Sequence, residues 1–327
     1  MNNVAASILN NDWDITLNYT DFHLEDLKKN HTFENDFETI VGLCVVISAI
    51  MGVLANIVVI ILSFGHVKGD FSLFVANLAV VDIVCGFIFM FMGYINVNDT
   101  HNIPITFLYY MTLAFYGSFG TMICALVPIS LSRVLALSNT KLYKTFFDGH
   151  KSLLFCILLD SLPVAILYII CVADHDVAKS MFYLFAAITI FAYFISFATN
   201  YMVFRVVARH IEVVQNLRDQ VRLLETRQVA IATLAQALIP LLCQVPAFLT
   251  LSSILLLSEP ITNGHVIYIT QLWLALSPLL DAIITILVIK QYRMECFMCA
   301  STVGKICSLA RTNMFFSEEK EVFETQL

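Results

Sequence analysis

The sequence predicts an all-α membrane protein: a seven-transmembrane helix bundle followed by a short amphipathic eighth helix. Three observations carry that reading. Of 327 residues, 59% are hydrophobic and only 13% charged, where a soluble chain carries about 45–50% and about 25%. The apolar residues are gathered into seven runs, each near the roughly 20 residues that a helix needs to cross the hydrocarbon layer. The charged residues fall between the runs and in the tails, so the excess of apolar surface must face lipid.

The runs are read at 40–64, 71–95, 105–136, 152–172, 181–208, 229–257 and 266–289. Each must be a helix, because lipid offers the backbone no hydrogen-bond partner. Residues 1–39 are polar and acidic, lack the apolar core of a cleavable leader, and are expected to form an extracellular tail. The bundle occupies 40–289. The stretch 290–299 carries the amphipathic helix, and 300–327 reads as a disordered cytoplasmic tail. The nine cysteines lie in apolar runs or after the last one, so no disulfide framework is expected.

Orientation follows from two independent signals. Fifteen of the 18 Lys and Arg fall on one side of this arrangement; Lys28, Lys29 and Lys179 are on the other. Positive loops stay cytoplasmic, which places the amino terminus outside and the carboxyl terminus inside. The glycosylation acceptors Asn18, Asn30 and Asn98 all fall on the side that the charges call extracellular, as sugar attachment requires.

Polar groups at membrane depth are costly and mark function. Asn56 interrupts Gly52-Val53-Leu54-Ala55-Asn56-Ile57, Asp82 ends Asn77-Leu78-Ala79-Val80-Val81-Asp82, and Ser277-Pro278-Leu279-Leu280-Asp281 opens the middle of the last span. Two carboxylates sharing one low-dielectric site cannot both ionise cheaply. Either one carries a proton or a cation sits between them, and a polar knot that merely joins helices is the plainer alternative. Asp160, in the fourth span, has no partner legible in the sequence and reads as a packing hydrogen bonder.

These residues resemble the rhodopsin-like G-protein-coupled receptors: their span-one Asn, their Asn-Leu-Ala-x-x-Asp and their last-span Asn/Asp-Pro-x-x-Tyr. The resemblance implies a place in the plasma membrane, and a core polar cluster of Asn56, Asp82, Ser277 and Asp281 with Na+ as its ion at Asp82 and Asp281. Arg133, in Ser132-Arg133-Val134, stands where that family has Asp-Arg-Tyr. With Arg209 and Arg222 it is expected to couple to a heterotrimeric G protein, restrained at rest by a group such as Glu225. Cys243-Gln244-Val245-Pro246 is similar to Cys-Trp-x-Pro, and Pro246 should kink its span. The stretch 290–297 looks like the family's surface helix, which makes Cys296 and Cys299 palmitoylation candidates. Departures are plain as well. The usual tether cysteines are absent, and Ala282 and Thr285 replace the Pro and Tyr of the last motif. With Gln236 to Pro240 and Pro278 to Arg293, the pattern is similar to the nematode serpentine chemoreceptors over about 40–300.

The same resemblance implies a ligand held among spans three, five, six and seven. Tyr109, Phe115, Tyr116 and Tyr183 supply aromatic walls on the first two of these. Gln244, Phe248, Tyr268 and Gln271 supply walls and polar anchors on the others. Few anchors in an aromatic cage suit a small molecule, though bundle packing or an interfacial belt would use the same residues. No carboxylate faces that level of span three, so a chemosensory, olfactory-type receptor for a small neutral or weakly acidic molecule is expected rather than an amine receptor. Partners are then that ligand, lipid, a G protein and, in a receptor dimer, a second receptor. No basic patch suits nucleic acid, no cofactor is expected, and no nucleophile or metal triad suggests an enzyme. The alternative is a seven-span ligand-gated channel or transporter. The sequons oppose the channel's cytoplasmic amino terminus, and the halves lack a transporter's internal repeat.

Overall fold

The computed structural model describes the backbone of residues 31–67, 70–98, 103–138, 140–147, 150–213 and 264–298, with isolated positions between 224 and 249. Among the described residues there is no strand. Seven helices follow one another: α1 (His31–Gly65), α2 (Asp70–Val97), α3 (Ile105–Ser138), α4 (Thr140–Phe147), α5 (His150–Val172), α6 (His175–Val213) and α7 (Gly264–Val288). All but α4 are long and apolar enough to cross a membrane. The protein is therefore a multi-pass membrane protein with six such helices among its described residues. The expected span at 229–257 lies largely outside them, and its described positions, including 241–246, are helical.

Helix bounds agree with the expected spans where both are known, with three differences, the first being that α6 runs over 175–213 where 181–208 is expected. α1 begins nine residues before the expected start at 40, because Glu34, Asp36 and Glu38 are compatible with a helix that leaves the lipid. Hydrophobic run length marks only the part inside it. The connection 139–151 contains α4, which no apolar run announces because it is amphipathic, with Lys141 and Lys144 among its residues.

α1 packs on α2 and α7, while α3 touches α2, α5 and α6. Of the most apolar stretch of each helix, 61% is buried in α3 and 22% in α5, so α3 is the central post and α5 a lipid-facing one. Small residues permit the closest approaches. A Cβ at Gly93 would lie 2.8 Å from the backbone oxygen of Gly42, and one at Gly120 would lie 2.5 Å from the Phe185 ring. Close backbone approach at small residues is a usual means of joining helices in lipid, where water supplies no hydrophobic drive. Pro128, Pro163 and Pro278 each stand inside a helix and each removes one ladder hydrogen bond. Residues 290–298 are helical again after a break at Ile289.

Candidate functional site

The interior holds polar groups at three depths. At mid-depth, Asn56 on α1 donates through Nδ2 to the carbonyl oxygens of Gly52 (3.0 Å) and Pro278 (2.9 Å). It thereby ties α1 to the proline turn of α7. Asp82, Ser277 and Asp281 are fully or almost fully buried, and the two carboxyl groups are near enough to interact electrostatically. Among the described residues, neither carboxylate oxygen of Asp82 meets a hydrogen-bond donor. Buried carboxylate oxygens without donors are expensive, and a proton or a cation is what they suit. The described residues contain no group of three or more His, Cys, Asp or Glu able to hold a metal. The donor set fits a singly charged, oxygen-seeking ion better than a caged transition metal.

Nearer the Asn98 end the polar groups satisfy one another. Gln244 accepts from the Tyr193 hydroxyl (2.5 Å) and donates to Ser277 Oγ (3.3 Å). Gln271 accepts from Asn96 Nδ2 (2.6 Å) and donates to the Tyr116 hydroxyl (3.4 Å). Four elements, α2, α3, α6 and α7, are thus linked to one another and to the 241–246 segment. Aromatic rings pack around these amides. Phe115 meets Phe89 and Tyr116 edge-on at 5.0 and 5.1 Å, and Phe119 meets Phe185 and Phe248, each at 5.5 Å. Tyr268 is partly buried against the same core.

Of the eight expected ligand residues, Phe115, Tyr116, Gln244, Phe248, Tyr268 and Gln271 therefore belong to the interior. Tyr183 does not: it is 53% exposed on the outer face of α6, because the α6 residues that meet α3 are Phe185, Thr189 and Asn200. The Tyr109 side chain lies outside the described residues. Asn96 and Tyr193 were missed: Asn96 falls just past the run ending at 95, and Tyr193 is one aromatic among several in its run.

At the opposite end, the Arg133 guanidinium carbon lies 3.9 Å above the Phe71 ring centroid, a cation–π contact. Tyr143 and Tyr292 also lie within its electrostatic reach. Glu225 and Arg222 are outside the described residues, and Arg209 is exposed. Tyr292 is wholly buried and shares a 2.8 Å hydrogen bond with Ser63, pinning the 290–298 segment beneath α1. Burial pushes its phenol up to about 12, against the opposing pull of the Ser63 bond and the Arg133 charge. His66 and Glu295 stand 3.5 Å apart beside that bond. Cys296 is partly buried and Cys299 lies outside the described residues. Asn98 is exposed and donates to the Tyr94 carbonyl oxygen, while Asn18 and Asn30 are outside the described residues. Asp160 does have a partner: Asn77 Nδ2 donates to its Oδ2 at 2.7 Å. A contact 83 residues away in the chain has no signature in local pattern.

In comparisons with known proteins, no protein-family model and no curated protein matches this chain.

Proposed function

We propose that this chain is a seven-span G-protein-coupled receptor of chemosensory type, set in the plasma membrane with its amino terminus outside. Its ligand is a small neutral or weakly acidic extracellular molecule. The observation that carries the reading is the pair of buried, electrostatically interacting carboxyl groups of Asp82 and Asp281, with Asn56 bonded to the Pro278 carbonyl and Ser277 to Gln244, an amide-and-aromatic layer on one side and Arg133 on the other. A packed bundle gains nothing from a buried Asp82 carboxylate to which no described residue donates, which supports a working element rather than a brace.

In this mechanism the ligand exchanges contacts with Gln271, Tyr116 and Phe248, and favours one packing of the helices. Taking such an equilibrium from 1:99 to 99:1 needs about 5.5 kcal/mol of differential affinity, within reach of several ring contacts and one hydrogen bond. Asp82 and Asp281 would hold a sodium ion, whose positive charge would let both carboxylates remain ionised in the resting packing. Arg133 then leaves Phe71 and becomes available to a G protein, aided by Arg209 and Arg222. The 290–298 segment acts as the eighth helix, with Cys296 and Cys299 as lipid anchors. Asn18, Asn30 and Asn98 carry sugars.

The test is a small-molecule screen in cells expressing the full chain with several G proteins, using Arg133→Ala as control. The reading expects a ligand response that Arg133→Ala abolishes while surface expression persists. An undiminished response in that variant would remove the coupling role. A tag on residue 1 that antibodies reach only after permeabilising the cells would overturn the orientation.

A further inference from the structure

We infer that α4 is an interfacial helix that binds the surface of an anionic membrane. Its position sets the geometry. The apolar stretch of α3 ends at Ser138 and that of α5 begins at Lys151, so α4 lies where the chain leaves the lipid and returns to it. Successive residues advance about 100° around a helix axis, which gives this short element three distinct edges. Tyr143 and Phe147 form the first. Phe147 is buried to 1% exposure, stacked with Tyr143 at 5.8 Å and edge-on to Phe74 and Phe155 at 5.5 and 5.2 Å, so this edge anchors α4 to α2 and α5.

Leu142 and Phe146 form the second edge, next to the first, and they are 43% and 51% exposed. Lys141 and Lys144 occupy the remaining arc and are exposed, as is Lys151 at the base of α5. The apolar arc is thus half covered by the bundle and half open. At the start of α5, to which Phe147 ties this helix, Leu153 and Leu154 are 44% and 67% exposed and face acyl chains. An apolar edge at the lipid boundary with lysines beside it is the arrangement of a helix lying in the headgroup layer. Three lysines complement anionic headgroups such as phosphatidylserine rather than zwitterionic ones. The orientation proposed above assigns this surface to the cytoplasmic leaflet, where such lipids are concentrated; the contact itself does not depend on it.

The experiment uses the full chain in nanodiscs of phosphatidylcholine, with or without phosphatidylserine. In Phe146→Trp, at a position 51% exposed, the added indole fluorescence is read against the parent protein. Quenching by lipids brominated on their acyl chains, and protection from aqueous iodide, support the inference. Quenching by iodide with no effect of bromolipid overturns it, and leaves this face to a cytosolic protein such as a G protein. The anion preference is read separately, from phosphatidylserine retained on the protein in native mass spectrometry. Lys141→Gln and Lys144→Gln should each lower the preference for phosphatidylserine over phosphatidylcholine by about fivefold. Unchanged retention in the double variant would overturn the electrostatic part, whatever the indole reports. Neither readout involves ligand or coupling, so failure here is distinguishable from failure of the receptor reading.

Discussion

The mid-depth acids and the amide layer above them are equally buried but unequally partnered. Gln271 is bonded to Asn96 and Tyr116, and Gln244 to Tyr193 and Ser277. Asp82, 0% exposed, offers two oxygens to which no described residue donates. A closed network of neutral groups fixes helices against each other and costs nothing once formed. An open site with charge costs free energy until something enters it. The difference assigns the layers distinct work: the amides hold the packing, and the acids make it conditional.

The largest effect that tests this contrast should come from Gln271→Leu, which removes the acceptor of Asn96 Nδ2 and the hydrogen bond donated to the Tyr116 hydroxyl. A stranded Asn96 amide costs about 1–3 kcal/mol and the lost bond to Tyr116 about 1 more, so a loss of about 2–4 kcal/mol is expected in thermal unfolding of the purified protein, the same with or without sodium. A neutral result would mean that the amide layer is not closed.

Asp82→Asn should act in the opposite sense. With potassium or choline as the only cation it should stabilise the protein by about 1–3 kcal/mol, because a buried charge without donors is removed. Sodium should stabilise the parent by a comparable amount, as mass action requires of any ion that binds the folded state alone, and should leave the variant unmoved. Equal sodium response in parent and variant would erase the distinction between the layers.

A smaller change, about 0.5–1.5 kcal/mol, is expected for Tyr292→Phe, which removes one neutral hydrogen bond to Ser63. Its sign with pH is also defined. The buried phenol titrates near 12, above the ordinary value near 10. Its folded-state preference for the neutral form is therefore fully present below pH 10 and fades as pH rises toward 12. The alkaline limb of the stability curve should flatten in Tyr292→Phe. An unchanged limb would show that Tyr292 is not held neutral by burial.

The smallest effect belongs to Phe71→Leu. It removes the ring beneath Arg133 and should cost about 0.5–1 kcal/mol of stability while raising signalling without ligand, read as basal G-protein turnover. Unaltered basal turnover would mean that Phe71 does not restrain Arg133.

Much of the fold was legible because lipid imposes a simple rule: a run of apolar residues with no backbone partner outside itself must be helical. That rule found all six helices now seen to be long and apolar enough to cross, with most ends within a few residues. It found the mid-depth acids too, since Asp82 and Asp281 stand alone in apolar sequence. It missed α4, whose eight residues carry an amphipathic pattern too short to separate from loop. It also misplaced Tyr183, because an aromatic residue in a span looks the same whether it faces lipid or neighbour.

By itself, then, the chain determined its solvent, its helices and the depth of each polar group, all of which depend on local composition along one axis. Azimuth was decided only by packing. Whether Asn77 turns to Asp160, Asn96 to Gln271 or Tyr292 to Ser63 depends on how helices rotate against one another. That rotation is set by close approaches such as Gly42 to Gly93 and Gly120 to Phe185, which bring together residues that no periodicity in the sequence pairs.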